Sequence, residues 1–380
     1  MRRCLLPACL ALALVVPRGD ADEPTFNDRP LSGWLTMLKE DPAPRKRRAA
    51  VVALGQIAAA NKAEFATALG AVGRAVQNDA APAVRQQAAA VIGQQKVEDA
   101  LVVLGDLAAA VRVEKEPGVR REIAVTLGRF GKLARQAVPA LTEALADKDD
   151  GVKAAAAEAL GRVGPEARAA APELLKLARA SDKPLRLAVT FALGRTDADD
   201  KAPVAVALVE TLKAATEVGL RREAVTSLGL LGESQGPVLP ALAAQLADPD
   251  AEHRVLTIDA LSRLGPAVRG VEGELLALFQ TDPDKGVRQV SLRALCRGLK
   301  TDAVRLIPTL TRRLEADGEF EVRVAIAQEL GALGADGKTA IPALRAAQRD
   351  PQIRVREAAL AALKQVERGV AKIPTELPKP

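Results

Sequence analysis

Aromatic residues are scarce in this sequence: its 380 residues include one tryptophan, six phenylalanines and no tyrosine. It also has a single histidine and three cysteines. Catalysis requires a nucleophile, a base and an orienting group that converge, and this composition supplies few of them. Single-stranded nucleic acids are bound on aromatic platforms, so a specific nucleic-acid site is not expected either. We predict no enzyme activity, no catalytic residue, no cofactor and no metal.

The first residues differ from the rest of the chain. Arg2 and Arg3 precede an apolar run from Cys4 to Val16, and Ala21 offers a cleavage site. The run is shorter than the roughly 20 residues that cross a bilayer, so it predicts a signal peptide over 1–21 and no transmembrane span. We therefore expect a secreted or periplasmic protein. Removal of this segment leaves Cys296 as the only cysteine, which excludes an intrachain disulfide.

Most of the remaining sequence is a repeat. A Leu-Gly pair, or its equivalent, recurs at intervals of 33 to 38 residues. The second residue of each pair, which we call the anchor, is Gly55, Gly93, Gly128, Gly161, Gly194, Gly229, Ser262, Cys296, Gly331 or Lys364. A period in this range is typical of helical solenoids, in which each unit buries its apolar face against its neighbours.

Each repeat reads as two helices. The residue before the anchor is always Leu or Ile, and a small or branched residue stands four positions earlier, on the same helical face. A second apolar segment lies upstream, and proline often opens it, as at Pro139 and Pro308. Because proline is tolerated in the first helical turn, it predicts the start of a helix A. Helix B follows an acidic loop and is predicted to end near the anchor glycine.

A basic residue stands eight positions before every anchor. These cations include Arg85, Lys153, Arg254, Arg288, Arg323 and Arg356. Six residues before most of them the loop carries an acid, as at Asp79, Asp147, Asp248, Asp282, Asp317 and Asp350, whereas Ala180 and Ala215 interrupt the series. The recurrence predicts a structural ladder of paired charges between repeats.

The offsets of the Asp, the branched residue, the Arg and the Ala-Leu-Gly resemble those of HEAT repeats, notably the short alanine-rich type of phycobilisome-lyase-like proteins. The resemblance covers residues 31–368. It implies an all-α fold, a right-handed α-α superhelix of about ten helical hairpins with helix B on the concave side. Residues 22–30 then form a polar lead-in, and residues 369–380 a proline-rich disordered tail.

A second basic column directly follows the anchor. It includes Arg129, Arg162, Arg195, Arg263 and Arg297. Cations near a helix C-terminus complement the helix dipole, and acids such as Glu158 and Asp259 can pair with them locally. The functional alternative is a basic stripe along the inner groove that binds an acidic segment of a partner protein.

Other candidates are weaker. His253 occupies a position that is usually valine, which favours a packed histidine over a catalytic one, and Cys296 occupies the anchor as a small apolar filler. Gly337-Lys338-Thr339 lacks the earlier glycine and the preceding strand of a phosphate loop. One histidine also cannot supply the His-Glu iron site of deoxyhypusine hydroxylase, another HEAT-like array.

The sequence therefore predicts a non-enzymatic protein-binding scaffold that holds a partner along helix B. Two alternatives stay open. Resemblance to phycobilin lyases allows a chromophore-attaching enzyme, and the basic stripe allows unspecific binding of a polyanion or nucleic acid. Neither the partner nor the oligomeric state is encoded in a recognisable motif.

Overall fold

The computed structural model of the protein describes residues 23–234 and 236–371. The predicted signal peptide and residues 372–380 of the predicted tail lie outside the described residues. The chain divides into two compact units, Met1–Phe130 and Gly131–Pro380. No helix within the described ranges is both long and apolar enough to cross a membrane.

The first unit is built from paired helices behind a small hairpin. Its strands are β1 (Thr25–Phe26) and β2 (Arg29–Pro30), and its helices are α1 (Leu31–Glu40), α2 (Pro44–Ala60), α3 (Phe65–Asn78), α4 (Pro82–Gly93), α5 (Val97–Ala100), α6 (Leu104–Val113) and α7 (Pro117–Arg129). A 3-10 turn, Leu101–Val103, joins α5 to α6. Buried leucine, valine and alanine side chains form the core between the helices.

The predicted polar lead-in contains this hairpin. Thr25 pairs with Pro30 in antiparallel register, and Asn27 and Asp28 turn the chain with positive φ angles of 48° and 59°. Asparagine and aspartate tolerate this left-handed conformation better than most residues do. The Trp34 indole N–H donates to the Phe26 carbonyl at 3.0 Å, so the only tryptophan fastens the hairpin to α1.

The second unit continues the alternation of helices A and B. Its helices are α8 (Val138–Ala144), α9 (Asp150–Val163), α10 (Ala171–Leu177), α11 (Lys183–Leu193), α12 (Lys201–Ala214), α13 (Val218–Leu231), α14 (Val238–Gln245), α15 (Ala251–Arg263), α16 (Glu272–Thr281), α17 (Lys285–Leu299), α18 (Ile307–Ala316), α19 (Phe320–Ala332), α20 (Ile341–Ala347) and α21 (Ile353–Ala371). Five 3-10 segments precede helices A: Gly131–Ala137, Gly164–Ala170, Gly265–Val271, Lys300–Leu306 and Gly334–Ala340.

The prediction of an all-α solenoid of helical hairpins is confirmed. Proline lies in the first turn of α8, α10, α18 and α20, as its missing N–H permits. Aspartates such as Asp149 and Asp284 cap helices B by accepting a backbone N–H three residues on. Helix α21 runs to Ala371, three residues beyond the predicted end of the repeats. A single array over 31–368 stays a prediction.

Helix B ends near the anchor glycine, as predicted: α4 ends at Gly93, and α9 ends two residues after Gly161. Gly161 lies inside α9, where an added Cβ would meet the Phe191 ring at 2.6 Å and the Ala192 Cα at 2.9 Å. Glycine is needed there because the next helix B approaches too closely for a side chain. The helix is capped at Gly164, whose φ of +79° suits glycine.

Candidate functional site

The charge ladder is most regular along α15, α17 and α19. The Arg254 Nε and Nη2 atoms donate to both oxygens of Asp282 at 2.9 and 2.8 Å, and Asp282 belongs to the next repeat. The Arg254 Nη1 donates to the backbone carbonyl of Asp248, in the loop of its own repeat, at 2.8 Å. Arg288 repeats this geometry with Asp317, and Arg323 with Asp350. Each arginine thus joins its own loop to the following one.

The acids of these three pairs also accept hydrogen bonds from backbone N–H groups. Asp282 also accepts the backbone N–H of Asp284 at 2.9 Å, and Asp317 accepts that of Glu319 at 3.0 Å. Hydrogen bonds from Arg323 lower the pKa of the Asp350 carboxyl. Arg356 of the last repeat donates to the Asp350 carbonyl at 2.9 Å. A buried charge pair with this many hydrogen bonds is costly to break from one side.

The same pairing occurs in the first unit. Arg47 binds both oxygens of Asp79 at 2.8 Å. Arg85 binds both oxygens of Glu114 at 2.5 and 2.7 Å, so glutamate serves where aspartate is usual. These contacts link successive repeats within residues 23–130.

The ladder is loose in the middle of the second unit. The loop of the next repeat has Ala180 where an acid would pair with Lys153. Lys153 instead pairs with Asp150 of its own helix at 2.7 Å. Arg221 Nη2 lies 3.6 Å from Asp248, beyond a normal hydrogen bond, and its buried Nε has no hydrogen-bond partner within the described ranges. Asp147 accepts the backbone N–H of Asp149 at 2.9 Å.

The predicted arginine column belongs to an exposed line on helix B. We call this line the helix-B ridge and define it, for residues 131–371, by the positions one after, three before and seven before each anchor. These positions lie four residues apart, so they stack on one helical face. None of them is buried in the seven repeats of this unit. Ala155, seven residues before Arg162, is buried, so the ridge runs through Ala154, eight residues before Arg162.

Three ridge arginines of the predicted column have partners within the protein, as does Arg222, which binds Asp250 and Glu252 of the next repeat. Arg162 pairs with Glu158 and Arg263 with Asp259, each one turn earlier on the same helix, at 2.5 and 3.0 Å. Arg195 donates to Glu223 of the next helix B at 2.7 Å. These contacts favour the local-pairing interpretation for these three side chains.

The other two arginines of the predicted stripe differ. Arg129, in the first unit, donates to the Gly93 carbonyl at 2.8 Å, at the end of the preceding helix B. Arg297 is exposed, and its charge acts on the Glu329 carboxyl, whose pKa burial raises. Arg129 therefore caps a neighbouring helix, while Arg297 presents its guanidinium to solvent.

The ridge also carries apolar side chains. Leu187 and Leu230 are 42% and 41% exposed, and the half-buried Phe191 of α11 lies between Leu187 and Arg195, which follows the end of that helix. The Arg195 guanidinium lies 3.8 Å from the centre of the Phe191 ring. Apolar contact and cations therefore adjoin at repeats five and six.

A second series of ion pairs was missed by the sequence reading. Its cations lie in the 3-10 segments, and each pairs with an acid in the next connection: Arg135 with Glu166, Arg168 with Asp199, and Arg269 with Asp302. Their spacing of 31 to 33 residues was a visible signal. All these side chains are exposed, so each pair contributes little.

His253 and Cys296 are both placed as packing residues. His253 is fully buried, with its Nε2 3.1 Å from the Gln245 Oε1, and its Nδ1 has no partner among the residues that the structure describes. Burial raises the pKa of the Cys296 thiol to about 12, and the neighbouring Glu329 carboxylate adds to this effect. The thiolate that a nucleophile requires is therefore scarce at neutral pH.

Cavities lie at the ladder edge of both units. One of about 690 Å³ is lined by Leu35, Leu38, Ala71, Arg74 and their neighbours between α1 and α3. A smaller one of about 230 Å³ lies beside Arg186 in the second unit. Among the described residues, no group of His, Cys, Asp and Glu side chains is arranged to hold a metal.

Paired helices with a period near 34 residues and a charge ladder along one edge define an α-solenoid repeat protein. The sequence profile of HEAT repeats matches residues 106–194, 205–295 and 271–364, which is more than half of the chain. The chain belongs to the HEAT-repeat family.

Solved structures share this fold at low sequence identity. An engineered protein solved by a structural genomics consortium is 18% identical with a TM-score of 0.59, covering 89% of this chain and 98% of its own. A chain from a structure of Kap95p binding to RanGDP is 13% identical with a TM-score of 0.55. That match covers 90% of this chain but about half, 51%, of the other. No curated protein sequence matches the chain significantly.

Proposed function

We propose that the protein is a non-enzymatic scaffold that binds a partner protein along the helix-B ridge. The observation that carries this proposal is that no ridge position is buried through seven repeats, while most of the positions that flank them on helix B are buried. A surface that recurs at every repeat suits an extended partner, because successive repeats can each contribute contacts. The structure with Kap95p and RanGDP concerns binding to a protein, which is consistent with this role.

The charge of the ridge favours a partner with an acidic segment. Six ridge positions are arginine, at 162, 195, 222, 263, 293 and 297, and three are acidic, at 158, 259 and 357. Exposed pairs on one helix, such as Arg162 with Glu158, are worth only about 0.3–0.5 kcal/mol. A partner carboxylate can therefore replace such a contact at low cost.

Charge reversal tests the ridge. The variant Arg162→Glu, Arg263→Glu, Arg297→Glu changes three exposed ridge cations, and we expect it to lose the crosslinked partner without losing helicity. The matched control, Arg135→Glu, Lys176→Glu, Arg345→Glu, makes the same change in net charge away from helix B. Crosslinking in an extract of the source cells, read by mass spectrometry, compares both with the wild type.

The control separates this role from unspecific attachment. Loss of the same proteins in both variants would show that net charge alone governs capture, which would contradict a ridge site. Binding of duplex DNA or heparin that falls steeply with added salt, equally in both variants, would favour the polyanion alternative. Retention of every partner by the ridge variant would also overturn the proposal.

We further propose that residues 1–21 direct the chain to the cell envelope and are removed. The support is the charged start, the apolar run and the small residue at Ala21. Sequencing the N-terminus of the protein from its source should give Asp22 as the first residue. An N-terminus at Met1 in the native protein would refute cleavage.

A further inference from the structure

Ala215 occupies a ladder-acid position and has the backbone conformation of a ladder acid, but it carries no carboxylate. Ladder acids follow the last residue of helix A in an extended conformation, as at Asp317, with φ −69° and ψ 129°. Ala215 follows α12 in nearly the same conformation, with φ −73° and ψ 119°. The side chain of this residue therefore leaves the backbone as a ladder acid would, but it ends at the methyl group.

The arginine that would bind such an acid is retained. Arg186 occupies the ladder position of α11, and its Nε is buried without a hydrogen-bond partner among the described residues. In the regular repeats the equivalent Nε atoms of Arg254 and Arg323 each donate to a carboxylate, at 2.9 and 2.7 Å. An unsatisfied buried donor is unfavourable, so a bound acceptor would stabilise this site.

A cavity of about 230 Å³ lies where the carboxylate is missing. Its walls are Arg186 and small side chains, chiefly Ala178, Ala207, Ala214 and Ala215. Thr211 also lines it and donates its hydroxyl to the Ala207 carbonyl at 2.9 Å. At about 30 Å³ for one water, the space holds several heavy atoms rather than a single solvent molecule.

The other charged groups near the cavity are already engaged. Arg179 and Glu210, which also line it, bind each other at 2.7 and 3.1 Å. Glu217 is near Arg186, but the distance between Nη2 and Oε2 is 3.7 Å, too long for a hydrogen bond. The Lys183 ammonium binds Glu217 at 2.7 Å and lowers the pKa of Glu217 to about 2. Glu217 therefore does not satisfy the Arg186 Nε.

The other interruption of the ladder is resolved differently. Where Ala180 replaces the acid, the cation is Lys153, which turns to Asp150 of its own helix. Lysine has one compact charge that adapts to a local partner, whereas the planar guanidinium presents a fixed pair of donors. At Ala215, by contrast, the arginine with its fixed pair of donors is kept although the ladder acid is replaced by alanine.

We propose that the cavity beside Arg186 binds a carboxylate that takes the place of the missing ladder acid. Two oxygens accept from the Arg186 Nε and Nη2, as those of Asp282 do from Arg254, and the short aliphatic part lies against the alanines. The carboxylate can belong to a small organic acid or to an Asp or Glu side chain of another protein. Both sources share the same chemistry at the guanidinium.

Sodium acetate is the first probe, with sodium chloride at equal ionic strength as its reference. We expect acetate to raise the melting temperature of the full chain above the chloride value, because a ligand of the native state stabilises it. In Ala215→Asp the built-in carboxylate occupies the site, so acetate affinity should fall at least about tenfold. Arg186→Met, which removes the donors, should abolish the response as well.

Two outcomes overturn the proposal. An acetate response of equal size in the wild type, in Ala215→Asp and in Arg186→Met would place the effect elsewhere. An equal response to sulfate would show a general anion effect rather than carboxylate recognition. Arg186→Met keeps the test valid if Ala215→Asp does not fold.

A capped peptide distinguishes the two sources. N-acetyl-Ala-Asp-Ala-amide carries one side-chain carboxylate and no free terminus, so its binding in competition with acetate assigns the site to a protein side chain. Binding of acetate but not of the peptide assigns it to a small acid. The cavity lies between the helices A α10 and α12 and meets helix B only at Arg186, which is not a ridge position, so the ridge variant Arg162→Glu, Arg263→Glu, Arg297→Glu should retain the acetate response. The proposal for the cavity and the proposal for the ridge can therefore be refuted independently.

Discussion

The charge ladder is tight along residues 254–350 and loose along residues 153–248, although both stretches are built from the same repeat. In the tight stretch each arginine places two donors on an acid whose side chain is at most 10% exposed. In the loose stretch the acid is absent at Ala180 and Ala215 and lies too far from Arg221. The same repeat pattern therefore forms a buried network of ion pairs where the acid is present. Where the acid is missing, the ladder cation remains partly exposed to solvent.

The largest expected effect is the removal of a buried acid from the tight stretch. Asp317 has no exposed side-chain surface and binds Arg288, Arg313 and the Glu319 N–H. Asp317→Ala leaves these donors unpaired, so we expect a loss of about 3–5 kcal/mol in the free energy of unfolding. Urea denaturation followed by circular dichroism measures it.

Asp248→Ala is the matched change in the loose stretch. Its carboxylate lies 3.6 Å from Arg221 and accepts the Asp250 N–H at 2.9 Å, so we expect a loss of only about 1 kcal/mol. Equal losses in the two variants would show that the hydrogen-bonded geometry of the ladder does not determine its contribution.

The single histidine lies at the boundary of the two stretches and should make stability depend on pH. Burial lowers the pKa of His253, and the charges of Asp248, Asp250, Arg221 and Arg222 surround it. Because the unfolded chain binds this proton more readily, stability is complete above the unfolded pKa of about 6.5 and falls as the pH drops towards the lower folded value.

His253→Val tests this dependence with the residue usual at that position, as in Val287. We expect the variant to be as stable as the wild type at pH 8 and more stable at pH 5, by melting temperature. If the melting temperatures of the variant and the wild type differ by the same amount at pH 8 and at pH 5, His253 does not change its protonation on unfolding in that range.

The repeat register and the fold were predictable from the sequence, because they depend on local spacing. The Leu–anchor pairs, the prolines and the Asp–Arg offsets are set within one repeat. The partners of individual side chains were not predictable, because they depend on how closely neighbouring helices approach. Gly161 illustrates this: the sequence predicted that helix B ends near it, but not that the Phe191 ring, thirty residues away, leaves no room for a side chain there.

A smaller, stabilising effect should follow from closing a gap in the loose stretch. Lys153→Arg with Ala180→Asp supplies the donors and the acid that the tight stretch has, and we expect a gain of about 1 kcal/mol. The expected gain is small because Lys153 is only half-buried, so water partly screens the new pair. Each single change is the control, since neither alone completes the pair, and a double variant no more stable than either would contradict the expectation.

The smallest effect is expected at the opposite edge of the repeats, where the pairs of the 3-10 segments are exposed. Arg269 and Asp302 lie 2.6 Å apart with 56% and 51% of their side chains exposed. Solvent and salt screen such a pair, so Asp302→Ala should change the free energy of unfolding by no more than about 1 kcal/mol, and by less in 1 M salt. Asp317→Ala should keep most of its effect in the same salt, because its partners are buried. A salt response that is equal in the two variants would show that burial does not separate the two edges, since screening acts only where solvent reaches the charges.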